Sequence, residues 1–206
     1  LIVGNTIVIK PPELCPISSN FYGQIFKEVG VPDGVINIVH GYGEVTGRKL
    51  VQHPGSDYIV FTGSPQVASE ILKETADRIV PTHFELGGKS AAIIYPDADI
   101  DKAVQGAIVS KFRNAGQTCV CANRIYVQSD VYKEFLNKFI NETAKMKIGD
   151  GRELDVEQGP LIDMDAVLKV EELLEDALAK GAKISLGGER HSKGHTFFSP
   201  TIVADA

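Results

Sequence analysis

The sequence predicts an α/β fold built on a parallel sheet. Short runs rich in β-branched residues, such as residues 3–9 and 35–39, have the composition of buried strands. Between them lie segments with apolar residues at helical spacing, such as residues 18–29, where Phe21, Ile25 and Val29 recur on one face. Because strands that alternate with helices of this length are typical of parallel sheets, we expect that arrangement here.

Glycine and proline residues mark the ends of the predicted elements in the first half of the chain. The first strand closes at Pro11 and Pro12, and the first helix ends at Gly30. Ser64 precedes a proline and is a candidate N-cap. The predicted order is strand 3–9, helix 18–29, strand 35–39, helix 44–52, strand 58–61, helix 65–77 and strand 79–86.

The second half repeats the alternation after the segment ELGGKS. Asp99 or Asp101 begins its first helix, and the final segment FFSPTIVADA enters another strand. The predicted order is strand 91–94, helix 99–112, strand 124–127, helix 130–145, helix 167–180 and strand 183–186. The change of pattern near Gly87 and Gly88 predicts two domains, residues 1–87 and 88–206.

Composition excludes several classes of protein. The formal net charge is −6 and no block of Lys or Arg occurs, so no nucleic-acid or anionic-membrane surface is indicated. No apolar run is long enough for a membrane span. Three cysteines (Cys15, Cys119 and Cys121) argue against a secreted disulfide scaffold and favour a reducing compartment. We therefore expect a cytoplasmic protein.

Cys119 is the candidate nucleophile. It lies in the segment RNAGQTCVCANR, among small and polar residues. Backbone N–H groups at a turn or a helix start would stabilise its thiolate and could hold an oxyanion formed by attack on a carbonyl. The alternative is a small buried apolar residue, since free cysteine mostly packs. The segment alone does not decide between the two.

Glu85 is the candidate base. It lies between Phe84 and Leu86, and a carboxylate among apolar neighbours is costly to ionise, which would suit proton transfer near neutral pH. A strand-end glutamate turned to solvent, or paired with Lys89, is the more common arrangement.

Several residues could bind a dinucleotide. Lys10 and Glu13 follow the first strand, where ligands gather in α/β sheets, although solvated charges are common there too. Thr62, Gly63 and Ser64 precede a helix, so they could receive a phosphate, act as a simple cap, or do both. The glycines of GYGEVTG (Gly41, Gly43 and Gly47) depart from the usual G-x-G-x-x-G spacing and do not by themselves indicate a dinucleotide fold.

A metal site is not expected. Cys119 and Cys121 are separated by one residue, but no third cysteine or nearby histidine completes a ligand set. The five histidines also lack ligand spacing.

The order of these segments resembles the aldehyde dehydrogenase superfamily over essentially the whole chain. The run is GNTIVIKPPE, GYGEVTG, FTGS, ELGGK and GQTCVCANR, of which ELGGK and GQTC are highly specific. The resemblance implies part of a Rossmann-variant cofactor domain without the usual fingerprint, followed by part of an α/β catalytic domain. It also implies NAD or NADP as cofactor and a small aldehyde as substrate.

Site residues follow from this resemblance. Cys119 matches the nucleophile that forms a thiohemiacetal and then a thioester, and Glu85 matches the base that activates the deacylating water. The implied cofactor contacts are Lys10 and Glu13 at the adenosine ribose, Gly43 and Gly47 near the adenine, Phe61, Gly63 and Ser64 along the cofactor with Ser64 at the pyrophosphate, and Leu86 near the nicotinamide.

The segments FRNAGQTCVCANR and IGDG…GPLID look most like the succinate-semialdehyde dehydrogenase branch. Arg113 would then bind the distal carboxylate of succinate semialdehyde, unless it belongs to a structural ion pair. Relatives with Cys-x-Cys can form a reversible disulfide, so Cys119 and Cys121 are a candidate redox switch. Glu13 suits a ribose 2′-hydroxyl and repels a 2′-phosphate, which favours NAD over NADP.

The resemblance also predicts what the chain lacks. The family's oxyanion asparagine would precede residue 1 and its second cofactor glutamate would follow residue 206. We therefore expect about half of an enzyme, inactive alone, whose full-length form is a homodimer or homotetramer.

Two alternatives stay open. One is a different aldehyde, such as lactaldehyde, glycolaldehyde or another semialdehyde. The other is a cofactor-independent thiol hydrolase, which normally needs a histidine base near the sulfur.

Overall fold

The computed structural model describes residues 1–206 and divides them into two compact units, Leu1–Leu86 and Gly87–Ala206. Both units contain parallel strand pairs flanked by helices, which confirms the predicted α/β class. The sequence placed the boundary after residue 87. The assignment of cofactor and catalytic roles to the two units stays a prediction.

The first unit holds two separate parallel strand pairs. Strand β1 pairs with β2, and β3 pairs with β4, in which Gly63 lies beside Leu86 and Thr62 beside Glu85. Its strands are β1 (Ile7–Ile9), β2 (Ile36–Ile38), β3 (Ile59–Gly63) and β4 (Thr82–Leu86). Its helices are α1 (Ile17–Glu28), α2 (Arg48–Gln52) and α3 (Pro65–Thr75), with a π-helical turn at Gly43–Gly47 and a 3₁₀ turn at Ala76–Arg78.

Three predicted boundaries in the first unit are wrong for local reasons. The first strand starts at Ile7, because Gly4 has a φ of 88° and closes a turn onto Leu1. The fourth strand starts at Thr82, because Ile79 adopts a left-handed conformation with a φ of 53°. The helix expected over 44–52 begins as the π-helical turn.

The second unit contains one parallel and one antiparallel strand pair. Strand β5 pairs in parallel with β6, whereas β7 pairs antiparallel with β8, a departure from the predicted all-parallel pattern. Its strands are β5 (Ser90–Ile94), β6 (Ala122–Val127), β7 (Lys183–Leu186) and β8 (Ile202–Ala204), and its helices are α4 (Ile100–Phe112), α5 (Ser129–Thr143) and α6 (Met164–Ala179). Asp99, not Asp101, caps α4 by accepting a hydrogen bond from the Lys102 N–H at 3.2 Å.

The main core of the second unit supports the end of α4. Helices α4 and α5 pack through Phe112, Phe135 and Phe139, with ring centroids of Phe135 and Phe139 5.5 Å apart. Burial of such rings contributes a few kcal/mol each, which makes them the main apolar contribution here. Phe112 is the last residue of α4 and directly precedes Arg113, so this core fixes where the following turn begins. None of the helices combines the length and apolar character that a membrane crossing requires.

Candidate active site

Lys10 lies at the centre of the first cluster of predicted site residues. Its ammonium donates hydrogen bonds to the carbonyl oxygens of Pro11 (2.7 Å) and Gly41 (3.2 Å) and to the Glu13 carboxylate (3.2 Å). A Cβ at Gly47 would lie 3.6 Å from the Lys10 side chain, so the glycine lets the helical turn approach the lysine stem. The predicted adenosine contacts of the first unit therefore come together after β1.

The Glu13 carboxylate is ionised at neutral pH. Its own backbone N–H, followed by the Lys10 ammonium, lowers the pKa of Glu13, and the Gly43 N–H acts in the same direction. An ionised carboxylate accepts hydrogen bonds from hydroxyl groups and repels phosphates. The cluster therefore presents one ion pair at the end of β1, with an acceptor at its exposed side.

A second cluster forms where β3 and β4 end. The ring of Phe61 packs directly against Gly63, where a Cβ would clash with it, so this position requires glycine. Ser64 caps α3 by accepting a hydrogen bond from the Val67 N–H at 3.3 Å, which confirms the predicted N-cap. Since β3 and β4 run in parallel, the capped helix start and Leu86 lie at the same edge of the pair.

Glu85 does not have the apolar surroundings that its sequence neighbours suggested. Phe84 and Leu86 point to the opposite face of β4, because successive side chains of a strand alternate. The side chain of Glu85 is 66% exposed and accepts a hydrogen bond from His83 Nε2 at 3.0 Å. Within this unit Glu85 is therefore a strand-end glutamate turned to solvent, the more common arrangement that the sequence favoured, and no apolar pocket surrounds it. Its partner within the first unit is His83.

Cys119 lies in an exposed turn of the second unit between α4 and β6. The turn closes when the Cys121 N–H donates to the Thr118 carbonyl oxygen at 3.1 Å, which leaves Cys119 at its tip with a free thiol. A Cβ at Gly88 would lie 3.2 Å from the Cys119 carbonyl oxygen, so the glycine of ELGGK packs against the backbone of the turn. The alternative that Cys119 is a small buried apolar residue does not agree with its exposure.

Cys121 differs from Cys119 in its burial and in its hydrogen-bond partner. It is 1% exposed, and its thiol points to the Lys111 carbonyl oxygen at 3.6 Å. Both cysteines are free, and the redox switch stays a prediction. No group of three or more Cys, His, Asp or Glu side chains is arranged to hold a metal ion.

Arg113 begins the segment between α4 and the Cys119 turn. It is exposed and forms no ion pair within the chain, so the structural alternative considered from the sequence finds no partner here. An open cavity of about 420 Å³ lies beside it, and most of the lining comes from one face of α4. The lining residues are Gln105, Gly106, Val109, Ser110, Arg113 and Val120.

The segment from Arg113 to Cys119 contains functional candidates that the sequence did not single out. Asn114, Ala115 and Gly116 all have positive φ angles, of 53°, 54° and 77°. We name residues 114–116 the left-handed turn. Gln117 follows it and exchanges side-chain hydrogen bonds with Asn114 across it, Nε2 to the Asn114 carbonyl oxygen at 3.1 Å and Asn114 Nδ2 to the Gln117 carbonyl oxygen at 3.2 Å. Only the position of NAGQ just before the cysteine hinted at this.

Lys111 forms a polar contact behind the Cys119 turn. Its ammonium donates to Asn123 Oδ1 at 2.7 Å, and Asn123 Nδ2 donates to the Gly88 carbonyl oxygen at 3.1 Å. Burial lowers the pKa of Lys111, Cys121 opposes this shift, and Lys89 adds to it. The chain of contacts connects α4, β6 and the ELGGK segment around the thiol-bearing turn.

Comparison with curated proteins identifies close relatives. The chain is 46% identical over 205 residues to the succinate-semialdehyde dehydrogenase GabD of Escherichia coli, whose name specifies NADP(+). It is 45% identical over 205 residues to a glutarate-semialdehyde dehydrogenase of Pseudomonas aeruginosa, and 42% identical over 205 residues to a 3-sulfolactaldehyde dehydrogenase of Pseudomonas putida. In each case the match covers 100% of this chain and 42% of the relative, so the chain spans less than half the length of these proteins.

Solved structures share the same fold. An NADP-dependent enzyme of Escherichia coli superposes with a TM-score of 0.95 at 46% identity, over 97% of this chain and 42% of that one. An aldehyde dehydrogenase of Bacillus cereus in complex with NAD+ gives a TM-score of 0.95 at 35% identity, over 98% of this chain and 41% of that one. The sequence profile of the aldehyde dehydrogenase family matches residues 1–206. The chain therefore belongs to the aldehyde dehydrogenase family.

Proposed function

We propose that the protein oxidises an aldehyde that carries a distal carboxylate, with succinate semialdehyde as the substrate and succinate as the product. The observation that carries the proposal is the pair of Arg113 and Cys119, a cation without an ionic partner and a free exposed thiol at the two ends of one short segment. A substrate with an anion at one end and an aldehyde at the other matches that pair.

Cys119 supplies the nucleophile. Its thiolate adds to the carbonyl carbon and forms a thiohemiacetal, and loss of hydride from that carbon leaves a thioester on the sulfur. Glu85, exposed at the end of β4, accepts a proton from the water that attacks the thioester, which releases the acid and the thiol. A nicotinamide dinucleotide supplies the two-electron acceptor when it is bound.

The first unit offers groups that suit such a cofactor. The Glu13 carboxylate accepts hydrogen bonds from ribose hydroxyls while Lys10 holds it in place, and Gly43 and Gly47 leave room beside them. The Ser64 cap and the start of the eleven-residue helix α3 offer N–H donors for the pyrophosphate. Phe61, Gly63 and Leu86 complete the expected contacts at the same strand ends.

NAD is the preferred cofactor in this proposal. The Glu13 carboxylate is ionised beside Lys10, so that lysine is already neutralised and a 2′-phosphate would meet a negative charge. Relatives bear names of both kinds, since GabD specifies NADP(+) whereas the Bacillus cereus structure contains NAD+.

Arg113 selects the substrate class. A guanidinium binds a carboxylate through two parallel charge-assisted hydrogen bonds, and Arg113 has no competing carboxylate in the chain. The names of the relatives above specify succinate semialdehyde, glutarate semialdehyde and 3-sulfolactaldehyde, each of which bears an anionic group. No histidine of the second unit hydrogen-bonds to Cys119, so nothing favours a thiol hydrolase.

The test compares succinate semialdehyde with butanal, an uncharged aldehyde of equal length, in the gene product that carries this chain. Arg113→Ala should lower kcat/KM for the semialdehyde by a factor that corresponds to about 2–4 kcal/mol of lost transition-state stabilisation. The kcat/KM for butanal should stay nearly unchanged, because only the semialdehyde loses a charged contact. Arg152→Ala, which removes an exposed arginine paired with Asp150, is the matched control. Cys119→Ser should abolish cofactor reduction followed at about 340 nm. Equal losses for both aldehydes in Arg113→Ala would make Arg113 structural, and normal turnover by Cys119→Ser would refute the proposal.

A further inference from the structure

Between Arg113 and Cys119 the backbone is held in a conformation that it would not adopt alone. Asn114 and Ala115 both lie in the left-handed region, which is unfavourable for residues with a Cβ and unusual for two such residues in succession. Gly116 continues the turn, and a Cβ there would lie 3.3 Å from the Lys111 carbonyl oxygen. Strained segments of this kind persist only where the surroundings fix them, and they cluster at functional sites.

Gln117 supplies the contacts that fix the left-handed turn. Its backbone N–H and its side-chain Nε2 both donate to the Asn114 carbonyl oxygen, each at 3.1 Å. The other end of the same amide, Oε1, accepts a hydrogen bond from the Ile162 N–H at 2.9 Å. One side chain therefore closes the turn on itself and fastens it to the loop before α6.

Apolar packing holds the turn from the other side. Ala115 lies against the second core cluster, which consists of Leu161, Val167 and Phe198. Leu161 precedes Ile162, the residue that donates to Gln117. The turn and the loop before α6 thus form one packed element, with the exposed Arg113 on one side and the exposed Cys119 on the other.

We infer that Gln117 is a positioning residue that sets the distance between the Arg113 guanidinium and the Cys119 thiol. This inference rests on the proposed function of those two residues. When a substrate is bound by its carboxylate at Arg113, its carbonyl carbon reaches the Cys119 sulfur only if the intervening turn holds the guanidinium and the sulfur at a fixed distance. An aldehyde without a carboxylate is not anchored at Arg113, so it depends less on that length.

The test uses Gln117→Met, which removes both side-chain contacts, and Gln117→Glu, which retains the acceptor for Ile162 and loses the donor to Asn114, all in the gene product that carries this chain. Gln128→Met is the control, because Gln128 belongs to the same unit and its side chain makes no hydrogen bond. We expect Gln117→Met to lower kcat for succinate semialdehyde by about tenfold to 100-fold, with a smaller loss for butanal and little change in KM. Gln117→Glu should fall between it and the native protein.

A cofactor-free readout separates this inference from the proposed function. The ratio of the Cys119 alkylation rate with iodoacetate to that with iodoacetamide measures how much Arg113 accelerates the reaction of the thiol with an anionic reagent, since only iodoacetate carries a carboxylate. The ratio should be highest in the native protein, fall in Gln117→Met toward that of Arg113→Ala, and stay native in Gln128→Met. An unchanged ratio in Gln117→Met, a native ratio no higher than that of Arg113→Ala, or equal kcat losses for both aldehydes would overturn the inference. If the native protein failed to oxidise succinate semialdehyde, the proposed function would fail and the alkylation ratio would still decide the role of Gln117.

Discussion

Replacing Ser64 separates two roles that the structure superimposes at the start of α3. The Ser64 hydroxyl accepts the Val67 N–H at 3.3 Å, and the same helix start is the proposed pyrophosphate contact. Ser64→Ala should lower the free energy of unfolding by about 1 kcal/mol, the usual cost of a lost N-cap. Ser64→Asp should retain the stability, because aspartate caps helices about as well as serine.

Cofactor binding should respond in the opposite order. In Ser64→Asp a carboxylate replaces the hydroxyl at the proposed pyrophosphate contact. Two unit charges about 4 Å apart repel by about 1 kcal/mol in bulk water and by about 4 kcal/mol near a protein surface. Because Ser64 is exposed, the lower part of that range applies, which corresponds to roughly tenfold weaker binding. Ser64→Ala should weaken binding less, since it removes one hydrogen-bonding group and adds no charge.

Two measurements and one control decide the matter. In the gene product that carries this chain, urea unfolding is followed by far-UV circular dichroism, and NAD binding is followed by titration calorimetry. Asp99→Ala removes the equivalent cap of α4 and should reduce stability without affecting NAD binding. Unaltered NAD affinity in Ser64→Asp would show that the start of α3 is only a capped helix and would remove Ser64 from the cofactor site.

Three further predictions follow, one from the core and two from the Lys10 cluster. Phe139→Ala should lower the free energy of unfolding in urea by about 3–5 kcal/mol, because it leaves a cavity beside Phe112 and Phe135. Lys133→Ala, on the exposed side of the same helix, should change that free energy by less than about 0.5 kcal/mol. Similar losses in the two variants would contradict the packing argument. Glu13→Gln should raise the ratio of kcat/KM for NADP to that for NAD severalfold, and an unchanged ratio would count against the role of its charge. The pKa of Glu13 is lowered in the folded state, so its ion pair stabilises the folded protein at pH values above the pKa that this carboxyl has in the unfolded chain. That stabilisation is lost as the pH falls through the pKa of the folded state. Glu13→Gln should not show this loss.

The fold class, the order of elements and the family could all be predicted from the amino-acid sequence. Strand and helix periods depend on local apolar patterning, so the order of elements could be predicted without tertiary information, whereas the antiparallel pairing of β7 with β8 could not. The two caps at Ser64 and Asp99 are equally local, because a cap is decided by one side chain and an N–H three residues away. The ELGGK and GQTC segments indicated the family through their order along the chain.

The surroundings of the candidate residues became visible only in the folded chain. Glu85 has apolar neighbours in sequence, yet the strand alternation turns them to the opposite face and leaves its carboxylate exposed beside His83. The left-handed turn was also invisible, because it depends on Gln117 reaching Ile162, a residue far along the chain. Such contacts depend on the packing of segments that are distant in sequence, and no local sequence pattern encodes that packing. They determine which side chains lie near the thiol of Cys119.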